Sequence, residues 1–316
     1  MGKKINLNLD WRFHLGDEPL GAPQLSPDFM GYNDSGWRVV TLPHDWSVEH
    51  PFDRRHASGT GYLPGGTAWY RKHFTLSEDV SGKRVRITFG GVYKHARVYV
   101  NSHHIGSNAY GYTTFTFDVS EFVRPGENVI AVRVEHDEVA DSRWFTGSGI
   151  YRDVSCEISD MRCFADNGIF VTTKEVAEGK AIVSVKYETL GGDGAAFDIY
   201  APNGDAAGSG KALGESGECE IVVENPALWS VDEPHLYTLR ARVISGGEYT
   251  DETEVRFGIR TIRFDADTGF YLNGVNMKLK GFCVHHNQTI RPKFKFRTGH
   301  VASIVEVNCH DLILPS

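Results

Sequence analysis

Val85-Arg-Ile-Thr-Phe-Gly-Gly-Val-Tyr-Lys-His-Ala-Arg-Val-Tyr-Val100 decides the fold class. In Val85–Phe89, and again in Ala96–Val100, apolar and polar residues alternate with period two. That spacing puts one set of side chains on the core face of a sheet and the other toward water. Gly90-Gly91 breaks the chain between the two runs, and Asn101-Ser102 and Pro125-Gly126-Glu127 mark further turns downstream. The alternation recurs in Phe115-Thr-Phe-Asp-Val119 and in Val129-Ile-Ala-Val-Arg-Val134. Short strands at such spacing, with almost no helical periodicity, predict an antiparallel sandwich over residues 1–162.

A second β block occupies residues 163–258. Its strands are Ile182–Tyr187, Phe197–Tyr200, Glu220–Val223, Tyr237–Val243 and Glu254–Phe257, separated by Gly-rich polar loops. Its size is that of an immunoglobulin-like sandwich. In a third segment, 259–287, Asn273-Gly274 lies between two alternating runs and predicts a two-residue hairpin, because both central residues accept positive φ. Residues 288–316 change character: Arg291-Pro-Lys-Phe-Lys-Phe-Arg297 is basic, and Gly299–Val307 fits one strand or one amphipathic helix equally well. The fold class is thus mainly β.

Composition narrows the function classes. The 316 residues are 41% hydrophobic and 23% charged, as in a globular protein with a real core. A formal net charge of −8 argues against nucleic acid as a partner, since phosphate binding needs a basic face. No window approaches the ~20 apolar residues of a membrane span. MGKKINLNLD, the first ten residues, has no apolar core of a secretory signal. Five cysteines (156, 163, 219, 283 and 309) are scattered without a CxxC pair, which suits a reducing compartment, so a cytoplasmic location is expected.

Generic catalytic motifs are missing. There is no GxGxxG, no Walker A loop and no GxSxG, and Gly147-Ser148-Gly149 reads as a flexible turn rather than a nucleophile site. Of 14 histidines, His103-His104 and His285-His286 are adjacent pairs, whose members point to opposite faces of a strand. No further ligands stand at metal-site spacing, so neither metal nor cofactor is expected. The aromatic residues Trp37, Trp46, Trp69, Tyr70, Tyr110, Tyr112 and Trp144 either fill the sandwich core or offer stacking faces to sugars. Composition alone favours the core.

Several local sequences are more specific. Leu42-Pro-His-Asp-Trp-Ser47, Gly66-Thr-Ala-Trp-Tyr-Arg71, Tyr110-Gly-Tyr-Thr-Thr-Phe115 and Arg143-Trp-Phe-Thr-Gly-Ser-Gly-Ile-Tyr-Arg-Asp-Val154 occur in that order. Asn225-Pro-Ala-Leu-Trp-Ser230, Phe257-Gly-Ile-Arg260 and Lys280-Gly-Phe-Cys-Val-His-His286 come next. Together they resemble the amino-terminal half of family 2 glycoside hydrolases, especially the β-galactosidases, over residues 5–287. The resemblance implies a jelly-roll sugar-binding domain, an immunoglobulin-like domain, and then the first strand of a (β/α)8 barrel along Gly281–His286. It also implies that Asp153 of Tyr151-Arg-Asp153 hydrogen-bonds sugar hydroxyls and that His285 contacts substrate. Arg143 and Trp144 would shape the site or simply pack. Without a barrel, the Asp153 carboxylate is expected to pair with Arg152 or Arg143.

A barrel takes about 250 residues, and 36 lie beyond Lys280. From Asn287 onward the sequence departs from the family's continuation. Retaining glycosidases use two carboxylates about 5–5.5 Å apart, one as acid and base and one as nucleophile. In the family both are barrel glutamates, the acid/base one preceded by Asn, and this sequence has no Asn-Glu dipeptide. The expectation is therefore a shortened β-galactosidase-like chain, inactive by itself, whose ligand is a β-galactoside or related oligosaccharide. A non-catalytic carbohydrate-binding or scaffold protein is the alternative, and association with a separate barrel-containing chain is a third.

Overall fold

The computed structural model describes residues 2–19, 25–76, 80–136, 142 and 144–279. Among them are twenty strands, two single 3-10 turns (Ser47–Glu49 and Ser58–Thr60) and no α-helix. The described chain divides into two compact units, with the boundary between residues 158 and 159.

The first unit contains strands β1 (Lys3–Asn6), β2 (Trp11–Leu15), β3 (Arg38–Val40), β4 (Gly66–Leu76) and β5 (Lys83–Phe89). It continues with β6 (Ala96–Val100), β7 (His103–Asn108), β8 (Phe115–Asp118), β9 (Gly126–His136) and β10 (Val154–Asp160). They form a six-stranded sheet in the order β3-β2-β4-β9-β6-β7 and a four-stranded sheet in the order β1-β10-β5-β8. Ladders between sequence-distant strands, such as Lys3↔Ile158, give the antiparallel jelly-roll sandwich that the alternation predicts. Trp11, Trp46, Tyr70, Phe89, Ile87 and Ile130 fill the space between the sheets, each essentially inaccessible to water.

The eleven-residue strand β4 is buried on both faces. Tyr70 packs into the main core, while its neighbour Trp69, equally buried, points the other way and packs with Tyr99, Ala131 and Trp37. A segment over residues 25–37 covers this outer face. Arg71, also buried, fastens it: Nε donates to Asp34 Oδ2 at 2.8 Å, Nη1 to the carbonyl of Phe29 at 3.0 Å, and Nη2 to that of Met30 at 3.1 Å. Nη1 also reaches the carbonyl of Pro27. His73 adds both ring nitrogens, each 2.9 Å from a carboxylate oxygen, of Asp34 and of Glu127. Two acceptors require two N–H donors, so this geometry favours the imidazolium.

The second unit contains β11 (Cys163–Ala177), β12 (Lys180–Leu190), β13 (Gly194–Tyr200), β14 (Ala206–Leu213), β15 (Ser216–Glu224), β16 (Tyr237–Ser245) and β17 (Glu248–Phe257). A three-stranded sheet, β11-β12-β15, faces a four-stranded one, β14-β13-β16-β17, giving the seven strands of an immunoglobulin-like sandwich. Along β16 every second residue is buried, from Tyr237 through Leu239, Ala241 and Val243 to Ser245. β14, Ala-Ala-Gly-Ser-Gly-Lys-Ala-Leu, carries no strand signal of its own. Tertiary contact makes it a strand: Gly208 and Gly210 leave room for Ile221 and Cys219 of the facing sheet.

A small antiparallel sheet closes the described chain, with β18 (Ile262–Asp265), β19 (Gly269–Leu272) and β20 (Val275–Met277) in that order. Leu272 pairs with Val275 across Asn273 (φ 49°) and Gly274 (φ 77°), so the two-residue hairpin forms as expected. The barrel's expected first strand and the 288–316 segment lie outside the described residues.

Candidate functional site

The loops at one end of the first sandwich bring together the segments 90–95, 108–115 and 144–153. Asp153 sits where the last of these enters β10. Its carbonyl accepts from Gly90 N at 2.9 Å, and its exposed carboxylate accepts at Oδ1 from Asn8 Nδ2 at 2.8 Å. Asn8 also accepts the next amide, Val154 N, at 2.8 Å, and its own carbonyl takes Leu42 N at 2.8 Å. One residue thus fixes the orientation of the carboxylate and joins three segments. Nothing in the sequence around Asn8 announces that role.

No ion pair between Asp153 and Arg152 is formed, and Arg143, the other expected partner, lies outside the described residues. Arg152 Nη1 donates to the carbonyl of Gly90 at 3.0 Å and its guanidinium lies 5.9 Å from the Tyr151 ring, while Asn8 is the carboxylate's partner among the described residues. Among the described residues an amide rather than a cation meets the Asp153 carboxylate, which suits acceptance of external hydroxyls. Arg143 and His285 lie outside the described residues. Trp144 is half-buried, and its indole N–H donates to Tyr112 Oη at 2.9 Å.

Beneath this end runs a buried polar network drawn from the Leu42–Ser47 and Gly147–Gly149 motifs. Asp45 Oδ1 accepts from Ser47 N and Ser148 N, both at 2.9 Å, and its Oδ2 faces Gly147 with no hydrogen-bond partner among the described residues. Burial pushes the Asp45 carboxyl up to about 7, against the pull of those two amides. Ser148 Oγ lies 2.7 Å from His136 Nδ1 and 2.6 Å from Ser47 Oγ. His44 Nδ1 meets the Tyr70 hydroxyl at 2.7 Å, and burial lowers the His44 pKa despite the neighbouring Glu49.

Ser148 is therefore no part of a flexible turn. It is completely buried, and its amide and hydroxyl are both engaged. The sequence expectation failed because two glycines look like freedom when read locally, whereas here they lie against Asp45 and the Tyr70 hydroxyl. Buried as it is, the Ser148–His136 pair is structural. Among the described residues no group of three His, Cys, Asp or Glu side chains converges as a metal site would require. No helix among them is long and apolar enough to cross a membrane.

Comparisons with known proteins agree on one lineage. The family model described as "Glycosyl hydrolases family 2, sugar binding domain" matches residues 5–159, and "Glycosyl hydrolases family 2" matches 165–260. A β-galactosidase from Bacteroides ovatus is 37% identical across 90% of this chain and 35% of its own length. A β-glucuronidase from Formosa agariphila is 30% identical across 88% of this chain and 31% of its own. A crystal structure of a β-glycosidase from Bacteroides vulgatus superposes with a TM-score of 0.82 at 34% identity, covering 89% of this chain and 37% of that one. A family 2 glycosyl hydrolase from Bacteroides cellulosilyticus gives 0.81 at 36% identity, covering 89% and 38%. The chain spans about a third of the length of the relatives it matches.

Proposed function

The chain belongs to glycosyl hydrolase family 2, with that family's two amino-terminal sandwiches, and we propose on this premise that it is the sugar-facing part of a β-galactosidase-like glycosidase. In this reading Asp153 accepts hydrogen bonds from the hydroxyls of a β-galactoside. The observation that carries it is the state of that carboxylate: exposed, oriented by Asn8, and not neutralised by an arginine among the described residues. A carboxylate so held can discriminate hydroxyl geometry through two short charge-assisted bonds.

Cleavage is assigned to glutamates that this sequence does not contain, since neither an Asn-Glu dipeptide nor a barrel is present in its 316 residues. They would come from a continuation of the same polypeptide or from a barrel-containing partner chain. The 316 residues by themselves are then expected to bind sugar without turnover. A cytoplasmic location is part of the proposal, supported by the buried thiols of Cys156, Cys163 and Cys219, which are not in disulfides. Recovery of the native protein from an oxidising compartment would contradict that location.

Two measurements on the purified chain test the main reading. A chromogenic β-galactoside should be released no faster than in buffer, and faster release rejects the non-catalytic assignment. Calorimetric titration with methyl β-galactoside should give heat that Asp153→Asn weakens about tenfold, with methyl β-glucuronide as the competing ligand. Unchanged affinity in Asp153→Asn would remove Asp153 from the site.

A further inference from the structure

We propose that Asp45 works a pH-sensitive latch in the first sandwich. With its carboxyl neutral, the Gly147–Gly149 segment is held shut against Leu42–Ser47, and ionisation of the carboxyl releases it. Ile150 to Asp153 follow directly in the chain, so release also loosens the entry to β10 on which Asp153 sits.

The two segments lie side by side. His44 N donates to the Ile150 carbonyl at 2.9 Å and Trp46 N to that of Ser148 at 3.1 Å. On its other edge Gly149 exchanges both backbone hydrogen bonds with Tyr93, each at 2.9 Å. Asp45 Oδ1 joins the pair, accepting Ser47 N from its own segment and Ser148 N from the other. Gly147 and Gly149 flank that serine at φ 72° and 125°, a backbone region open to glycine, so the segment has a pivot on either side.

Oδ2 is the sensitive atom. Asp45 is 4% exposed, and its Oδ2 has no hydrogen-bond partner among the described residues. The Gly147 backbone is packed on it so closely that a Cβ there would stand 2.8 Å away. A neutral carboxyl tolerates such a place far better than an anion, whose second oxygen must be solvated. Bringing water to Oδ2 means displacing Gly147.

The charged neighbours supply no counter-ion. Glu49, on the Ser47–Glu49 turn, is itself acidic and opposes ionisation of Asp45. Arg38 on β3 is engaged by Glu49 Oε2 at 2.6 Å, and His44 Nε2 lies 3.2 Å from Glu49 Oε1. The Tyr70 hydroxyl on β4 meets His44 Nδ1, and His136 on β9 meets Ser148 Oγ through its own Nδ1. Among the described residues no cationic group hydrogen-bonds the Asp45 carboxyl. Burial accordingly pushes it up to about 7, whereas in an opened segment it would titrate near the ordinary value of about 4. The opening equilibrium then grows about tenfold per pH unit between those two values and is level above the higher one.

Hydrogen exchange of the intact chain, followed by mass spectrometry from pH 4 to pH 9 and corrected for intrinsic rates, tests the latch. Protection of peptides within 144–153 should fall by up to about tenfold per pH unit as far as pH 7 and level off beyond it, while peptides from β12 and β16 keep constant protection. Asp45→Asn retains an oxygen for the two amides but cannot ionise, and its protection over 144–153 should not vary with pH. Constant protection in the unaltered chain overturns the proposal, as does the same fall in Asp45→Asn or an equal fall in β12 and β16. Where that variant does not fold, infrared spectroscopy of the unaltered chain with isotope-labelled aspartate reads the same carboxyl. A protonated band should persist at pH 6, where exposed aspartates are ionised, and disappear by pH 9. Absence of that band at pH 6 overturns the latch. No sugar enters either measurement, so neither outcome touches the assignment of Asp153.

Discussion

In the first sandwich Arg71, Asp34, Asp45, His44 and His136 are all buried and hydrogen-bonded, Arg71 and Asp45 to backbone groups, Asp34 to Arg71, His44 to the Tyr70 hydroxyl and His136 to that of Ser148, and they hold the outer segment 25–37 and the loop end with Asp153. In the second sandwich the core is Val183, Val185, Phe197, Ile199, Leu239 and Val243, and Asp251, which accepts Phe164 N at 3.2 Å, is its buried acid among the described residues. The sheets are built by the same alternation in both. What differs is the treatment of segments that are not strands. A loop has no ladder to satisfy its amides and carbonyls, so a domain that must fix long loops buries polar side chains to serve them. The domain with little to fix keeps an apolar interior. Buried polarity in this chain therefore marks where geometry is being held for something.

Removing the Arg71 guanidinium should have the largest effect on this contrast. Arg71→Ala leaves the Asp34 carboxylate to His73 alone and takes a donor from the carbonyls of Pro27, Phe29 and Met30, and should cost about 3–5 kcal/mol, measured by urea unfolding. Hydrogen exchange should quicken in β2 and β4 and stay unchanged in β12 and β16. Equal acceleration in both sandwiches would erase the distinction between them.

Asp45 gives the next largest effect, and it has a sign. Because burial raises its pKa to about 7, the fold favours the neutral acid. The stabilisation is complete below the ordinary carboxyl value near pH 4 and is lost as pH rises through 7, a span on the order of 4 kcal/mol. Asp45→Asn should flatten that part of the stability profile, and an unaltered slope would place the titration elsewhere.

His73 should give the smallest. Hydrogen bonding to Asp34 raises its pKa. Its contribution is thus full below the ordinary histidine value and disappears as pH rises through the higher folded one. The ring is 39% exposed, so water screening limits the effect to less than about 1 kcal/mol. His73→Ala should lower the melting temperature at pH 6 and leave it unchanged at pH 9. A loss of the same size at both pH values would mean that packing, not charge, is what the ring supplies.

Strands β6, β9, β12 and β16 were legible from the sequence, although β9 is buried on both faces from Val129 to Val134 rather than on one, and so was the Asn273-Gly274 hairpin. β14 was not, because small and glycine residues become a strand only when a facing sheet needs thin neighbours. β4 was legible as a family motif, but not as a two-faced strand with Trp69 and Tyr70 buried on opposite sides. Around the candidate site, Asp153 was singled out by resemblance, while Asn8, Asp45 and Ser148 were not. Their roles come from hydrogen bonds to residues as far as 146 positions away.

Sequence alone determined the β character, the order of the sandwiches and the family, because side-chain alternation and motif order are properties of neighbours along the chain. Only the tertiary structure decided that the Asn8 amide caps Asp153, that a serine between two glycines is locked in the interior, and that one face of a sheet is roofed by a loop. Those outcomes depend on which distant groups arrive within hydrogen-bonding reach once water has been expelled. No local pattern encodes that.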